Sequence, residues 1–283
     1  MKARRVTSLL LRHWPLPSPE DTGSKEDRGR VLIVGGSRHV PGAVVLAGEA
    51  AMRAGAGKLM LISLTSHALA LGLSLPEAAV QGTEATSEGE LAPLTAGQVE
   101  LVRSASAVLV GPGMATGASP VSLQVTRAAT AVVVDAGSLH PAALDPARGR
   151  AVLTPHVGEI ATLMGLSPAE VNRDAEGVAQ AAADRFDAVV VLKGPTTWIA
   201  TPGDGRWVHH VDAPGLGTSG SGDVLAGILV GLIARGAELP QAAAWAVALH
   251  ARAGQLASRR IGTVGFLARE LSPLVPQLLD RMR

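Results

Sequence analysis

The chain has 283 residues, 47% of them apolar, and 25 Lys and Arg against 24 Asp and Glu leave a net charge of +1. That length and apolar content suit one large α/β domain, while scattered basic residues argue against a nucleic-acid partner, and no Tyr with only two Phe and four Trp builds no stacking platform for bases. Without cysteine there is no disulfide, thiolate metal site or cysteine nucleophile, which suits a reducing cytoplasm.

The chain opens MKARRVTSLLLRHW, a basic start and an apolar run that stops at Arg12 and His13. The run is shorter than a signal-peptide core, and no later stretch approaches a membrane span. Residues 15–30 hold three prolines and many charges. They read as a surface lead-in, so 1–29 is taken as the lead-in and 30–283 as a single domain, with ordered structure expected from VLIV at 31–34.

From there strand and helix patterns alternate. VLIV, GGSRHVPG, an Ala- and Leu-rich helix over 43–53 stopped by Gly55 and Gly57, and KLMLISL at 58–64 make a βαβ unit. Apolar runs at 107–110, 131–134, 151–153 and 188–192 are too short for helices and too continuous for half-exposed strands, so they predict buried parallel strands. Segments 196–201 and 206–211, joined by PGDG, predict a hairpin at the sheet edge. A helix over 240–258 is the clearest of those that close the chain. GPGM from 111, DAGS from 135, TPHVGE from 154 and KGPTT from 193 all follow strand ends, where open α/β sheets bind ligands.

Residues 211–233, VDAPGLGTSGSGDVLAGILVGLI, dominate the C-terminal half. Gly215, Gly217, Gly220 and Gly222 crowd one turn, a cost in backbone entropy unless positive φ or close approach of a ligand requires it. Val224, Leu225, Ile228, Leu229, Leu232 and Ile233 then recur at helical spacing, with Gly227 and Gly231 four apart for close packing. The helix is expected to start near Ser221, and its unpaired first N–H groups suit an anion, most naturally phosphate. GLGTSG satisfies GxGxxG, but no crossover strand with an acidic end follows, and Asp223 stands where a Walker A loop needs Lys.

Other polar residues carry two readings each. Asp135 can bind a hydroxyl or hydrated metal, or cap a helix. His156 can donate a hydrogen bond or shuttle a proton, or be merely structural. Glu159 can cap the helix beginning near His156 or serve Mg²⁺, and Lys193 can meet a phosphate or return its strand to water. His209 and His210 point to opposite faces of a strand and make a poor metal pair.

In this order, VGGSRHVPGAVVLAGEAAMRAGAGKL, VGPGM, VVDAGSL, LTPHVGEIATLMG, VVLKGPTTWIA and GTSGSGDVLAGILVGLIARG resemble the NAD(P)H-hydrate dehydratases of the ribokinase-like superfamily. The resemblance runs from about Ser24 to Leu279. It implies a three-layer α/β/α sandwich with a mostly parallel sheet, a cytoplasmic homo-oligomer (a tetramer in the family), and removal of water from NADHX and NADPHX at the expense of ADP or ATP with Mg²⁺. It also implies that Ala43, Gly113, His156 and Asp223 contact the hydrated dinucleotide, while Lys193, Gly194, Pro195, Thr196 and Thr197 hold the adenine nucleotide together with Gly222. The chain departs from the family pattern at Gly137, where many relatives carry a second acid, at Ala213, where Asn is usual, and at Ser219–Gly220, where a glycine pair is usual.

Chemically, Asp223 at a helix N-terminus is expected to be ionised and a weak base. That suffices for a loose phosphoryl-transfer transition state in which the acceptor proton leaves late. Asp223 would face the hydrate hydroxyl, and the turn amides of Gly220, Ser221 and Gly222 would steady the moving phosphoryl group. A small-molecule kinase for a vitamin precursor or sugar, or a non-catalytic nucleotide sensor, are the alternative functions. LTPHVGE favours the dehydratase over the kinase, and the intact Asp223 argues against the sensor.

Overall fold

The structure, a computed structural model, describes residues 3–18 and 23–282. Of the 1–29 lead-in, residues 1–2 and 19–22 lie outside the described residues. Order begins earlier than the apolar pattern predicts: β1 (Arg4–Arg5) and α1 (Ser8–His13) precede β2 (Arg30–Val34). The reason is tertiary. β1 pairs in parallel with β10 (Arg206–His210), and Trp14 stacks on Trp207 with ring centroids 5.4 Å apart.

The N-terminal half continues with α2 (Ala43–Arg53), β3 (Lys58–Leu64), α3 (Ala68–Ser74), β4 (Ala78–Thr83), α4 (Ala96–Ser104), β5 (Ala107–Val110), α5 (Pro120–Ala128) and β6 (Val132–Val134). Then come α6 (Pro141–Leu144), β7 (Ala151–Leu153), α7 (Val157–Met164), α8 (Pro168–Arg173), α9 (Ala175–Phe186), β8 (Val189–Leu192) and β9 (Thr196–Ala200). After β10 the chain is helical: α10 (Ser221–Ala234), α11 (Leu239–Arg260) and α12 (Val275–Met282). The ten strands form one sheet in the order β1-β10-β9-β8-β7-β6-β5-β2-β3-β4. Pairing from β4 to β8 is parallel, and β9 runs antiparallel to both neighbours. The 196–211 hairpin is therefore present, but β1 covers its outer strand, so it is not the sheet edge.

Alternation along each strand divides the core. Val31, Ile33, Leu61, Leu109, Val133, Val152 and Val191 face the side covered by α2, α10 and α11. Their neighbours Leu32, Val34, Val108, Val132, Val134, Leu153 and Val190 face α4, α5, α7 and α9. Both faces are buried, which is why these strands read as continuous apolar runs rather than as alternating ones. The result is a three-layer α/β/α sandwich with a mostly parallel sheet.

α10 lies innermost. The sequence stripe suggested one apolar face, yet every residue from Val224 to Ala234 is buried, as an all-round apolar helix must be. Its two interior glycines sit against α2, where a methyl group added at Gly227 would come within 2.2 Å of Ala47 O, and one at Gly231 within 2.6 Å of Ala51 O. The backbones touch, and a side chain has nowhere to go.

Gly227→Val should therefore destabilise the fold by about 1–3 kcal/mol or more, since overpacking against backbone cannot be relieved by a rotamer change. Gly97→Ala in α4, where added bulk meets nothing within 4 Å, should be neutral or stabilising. Urea midpoints of the two variants check this; equal stability would mean that α10 and α2 can move apart freely.

Candidate active site

The strand ends converge with the glycine turn on one side of the sheet. A single 3-10 turn, Pro214–Leu216, leads towards α10, whose N-cap Gly220 has φ +86° and supplies no side-chain cap. Of the four turn glycines only Gly220 adopts positive φ. Gly215 is required for packing instead, because a methyl group there would lie 2.3 Å from the Phe266 ring. In the first turn of α10 the N–H of Ser221 bonds Thr218 O at 3.3 Å, while those of Gly222 and Asp223 have no internal partner.

Beneath them lies a charge cluster assembled from three strand ends. Lys193, after β8, places Nζ 2.9 Å from Asp135 Oδ1 and 3.8 Å from Glu159 Oε2. The Thr154 hydroxyl, after β7, donates to the same Asp135 oxygen at 2.7 Å. Asp135 is 2% exposed. The capping reading of Asp135 fails, because its carboxylate caps no helix; it binds a hydroxyl, that of Thr154, and is also the counter-ion of Lys193. Lys193, in turn, does not return to water. A methyl group built on Gly222 would sit 3.4 Å from its Nζ, so the ammonium stands beside the start of α10.

Glu159 and His156 cap α7 reciprocally: Glu159 Oε2 accepts from His156 N at 2.7 Å, and His156 Nδ1 accepts from Gly158 N at 2.9 Å and Glu159 N at 3.2 Å. This confirms the capping reading of Glu159. It also fixes the His156 tautomer, since an accepting Nδ1 leaves the proton on Nε2, on an exposed ring free to donate to a ligand.

Burial, followed by the like charge of Asp135, pushes the Asp223 carboxyl up to about 7, against the pull of Lys193. This overturns the expectation of a weak, permanently ionised base. The helix dipole favours the carboxylate, but loss of water and a neighbouring anion outweigh it, leaving a base matched to neutral pH. Burial works against the charge of Lys193 as well, yet Asp135 and then Glu159 outweigh it and hold its pKa above the ordinary lysine value.

A cavity of about 610 Å³ opens beside α10, lined on one wall by Lys193, Gly194, Pro195 and Thr197 and on another by Ser221, Gly222 and Leu225. His156, Ala213, Leu216 and His250 complete it. Thr196 is not in its lining; its hydroxyl pairs with His210 Nδ1 across the hairpin. Ala43 and Gly113 meet each other on the α2 side of the turn, where a methyl group on Gly113 would lie 3.1 Å from Ala43 Cβ, and Gly220 abuts Leu46 one turn further along α2. The glycine turn therefore lies between the cavity on one side and the packed Ala43 and Gly113 on the other, with Asp223, which is not in the cavity lining, just beyond it in α10. Gly137 admits no side chain at all, since one would meet Met114 O at 2.3 Å; its missing acid follows from that close backbone approach. A second cavity, of about 410 Å³ around Arg30 and Lys58, lies at the starts of β2 and β3, away from this chemistry.

His250 escaped sequence reasoning, for ALHARAG offers no spacing signal; its only trace is a polar residue on an otherwise apolar stretch of α11. Among the described residues no three His, Asp or Glu side chains are grouped to hold a metal. A magnesium ion takes most of its ligands from phosphate and water, with one or two carboxylates. Glu159, 18% exposed and 3.8 Å from Lys193 Nζ, fits that part better than Asp135, which is 2% exposed and paired with Lys193.

The NAD(P)H-hydrate dehydratase family model matches residues 31–277. The chain is 47% identical over 284 residues to the ADP-dependent (S)-NAD(P)H-hydrate dehydratase of Xanthomonas campestris pv. campestris, covering 99% of this chain and 98% of that one. It is 32% identical to the bifunctional NAD(P)H-hydrate repair enzyme Nnr of Escherichia coli over 99% of its own length but 53% of that protein, so it spans about half of such relatives. The solved ADP/ATP-dependent NAD(P)H-hydrate dehydratase of Bacillus subtilis, co-crystallised with ATP/Mg²⁺, superposes over the whole of both chains with a TM-score of 0.84 at 27% identity.

The electrostatics have a measurable signature. Between the ordinary carboxyl value of 3.8 and about 7, the folded state holds the Asp223 proton more tightly than the unfolded chain, so ionising it costs stability as pH rises through that window. Asp223→Asn should therefore be more stable than the parent at about pH 8, with the advantage vanishing towards pH 4. Asp135→Asn should lower the Asp223 pKa by removing the like charge and freeing Lys193. Carboxyl ¹³C titration and urea unfolding at both pH values test the two statements; an advantage independent of pH would place the Asp223 carboxyl in ordinary solvent.

Proposed function

The chain belongs to the NAD(P)H-hydrate dehydratase family, and on that footing we propose how this site removes water from hydrated NADH and NADPH. Its α/β/α sandwich is the ribokinase-like fold, and the activity is that of an ADP-dependent hydro-lyase acting on NADHX and NADPHX. The observation that carries the mechanism is the place of Asp223, a largely buried carboxyl in the first turn of an uncapped helix start, close enough to Asp135 and Lys193 for both to act on it.

The nucleotide occupies the cavity beside α10, with its phosphates directed at Lys193 and at the N–H groups of Gly220, Ser221 and Gly222. The hydrated nicotinamide ring lies on the Ala43 and Gly113 side, with His156 Nε2 donating to the dinucleotide. Asp223 accepts the proton of the hydrate hydroxyl as its oxygen attacks the terminal phosphorus of ADP. AMP departs, and negative charge accumulating on the transferring phosphoryl group is met by Lys193 and the turn amides. The ring nitrogen lone pair then expels phosphate and the adjacent carbon loses a proton, restoring the double bond. In sum, NADHX and ADP become NADH, AMP and phosphate. Glu159 would be the residue to hold a magnesium ion brought with the nucleotide, which would supply charge neutralisation to the phosphates.

We further infer that residues 30–283 act as one catalytic domain, and that the protein works in the cytoplasm as a homo-oligomer. Leu69 and Leu73, one turn apart on α3 beside edge strand β4, are 78% and 75% exposed, which supports a covering partner copy. No helix among the described residues is long and apolar enough to cross a membrane.

NADHX supplied with Mg²⁺ and ADP should regenerate the near-ultraviolet absorbance of NADH, with AMP and phosphate released in equal amounts. Asp223→Asn should lower kcat by about 10²-fold or more while leaving ADP binding within a few fold, because shape survives and the proton acceptor does not. A stable phosphorylated product without absorbance gain would point instead to a kinase, and near-normal turnover in the variant would remove Asp223 from the chemistry.

A further inference from the structure

We propose that His250 is a positioning residue that keeps the N-terminus of α10 open for phosphate by holding the Ser221 hydroxyl away from it. The inference rests on the reading of the glycine turn as the nucleotide site. Ser221 is the first residue of α10, and its side chain is 4% exposed. A serine at the first helical position can turn its hydroxyl back onto the free N–H two residues on, satisfying it locally. Here it does not. Its Oγ lies 3.0 Å from His250 Nε2, on α11, and the N-cap residue is a glycine without a side chain to cap the helix in its place.

The imidazole is suited to this role because it is uncharged. Burial pulls the His250 pKa down to about 4, against a hydrogen bond with the Ser221 backbone and with Lys193 acting in the same direction as burial. A protonated ring would attract phosphate to itself; a neutral one acts as a hydrogen-bond partner and leaves the anion to the helix amides and Lys193. His250 also borders the cavity, so the Ser221–His250 bond forms part of its floor. The Ser221 N–H bonds Thr218 O, but the N–H groups of Gly222 and Asp223 are spent neither on the serine hydroxyl nor on a capping side chain.

The test is binding of ADP by calorimetry, alongside steady-state kinetics. His250→Leu, near in volume, and His250→Ala, which leaves space without a clash, should each weaken ADP binding and raise its KM about tenfold with a smaller change in kcat, as expected when donors to a charged group become self-satisfied. His250→Gln, which can still reach the hydroxyl, should stay within about threefold. The decisive measurement is the double variant: Ser221→Ala in the His250→Leu or His250→Ala background should recover most of the lost affinity, since the competing hydroxyl is gone. Merely structural packing by His250 would not be rescued in this way. Thermal melts identify which of the two variants is folded for the comparison. Unchanged ADP affinity in a folded His250 variant, or a double variant as weak as its His250 parent, overturns the proposal. Failure of the wild-type protein to bind ADP or ATP overturns the nucleotide site beneath it, a result distinct from either.

Discussion

Everything at the active site depends on one helix being driven through the middle of a layer with its first turn unsatisfied. α10 is buried on all sides from Val224 onward, so its position is set by hydrophobic contact with α2, α11 and the sheet rather than by amphipathic choice. Gly227 and Gly231 let it approach the backbone of α2 directly. Because the helix cannot slide, its N-terminus is fixed against the ends of the strands. Gly220, in the left-handed region, leaves the donors there unused. Packing energy spent along the helix body thus holds a polar defect where a phosphoryl group can use it.

The charges around that defect are mutually dependent. Lys193 is kept protonated in a dry position by Asp135 and Glu159. Asp135 cannot neutralise Lys193 without also repelling Asp223, and the same carboxylate that secures the phosphate-binding cation therefore contributes to making the base. Asp223 is held in a state that the unfolded chain would not choose, so a cost in stability accompanies its basicity. Glu159 links this group to the α7 cap, which in turn fixes the tautomer of His156.

The outer parts of the fold obey local rules less closely. β4 went unread because an edge strand of Ala78, Ala79, Val80, Gln81, Gly82 and Thr83 has neither a continuous apolar run nor a clean alternation. β1 and α1 went unread because two residues of strand and six of helix carry too little pattern; they are held by pairing with β10 and by Trp14 stacking on Trp207, a partner far away in the chain. Those contacts also convert the hairpin from an edge into an interior pair.

What the sequence by itself determined was the part written in short-range pattern. Apolar runs between punctuating glycines and prolines specified the central parallel strands, and the glycine cluster before Val224 specified an anion-binding helix start with Asp223 at its mouth. The order of motifs along the chain carried the family. Tertiary structure alone decided which charges meet and what they do to one another. Asp135 and Lys193 are 58 residues apart, and Ser221 and His250 are 29 apart on different helices. No spacing rule joins such pairs. The basicity of Asp223 was misjudged from sequence for the same reason: the helix dipole is local and legible, whereas desolvation and the field of a buried neighbour are sums over atoms that only the folded chain brings within range.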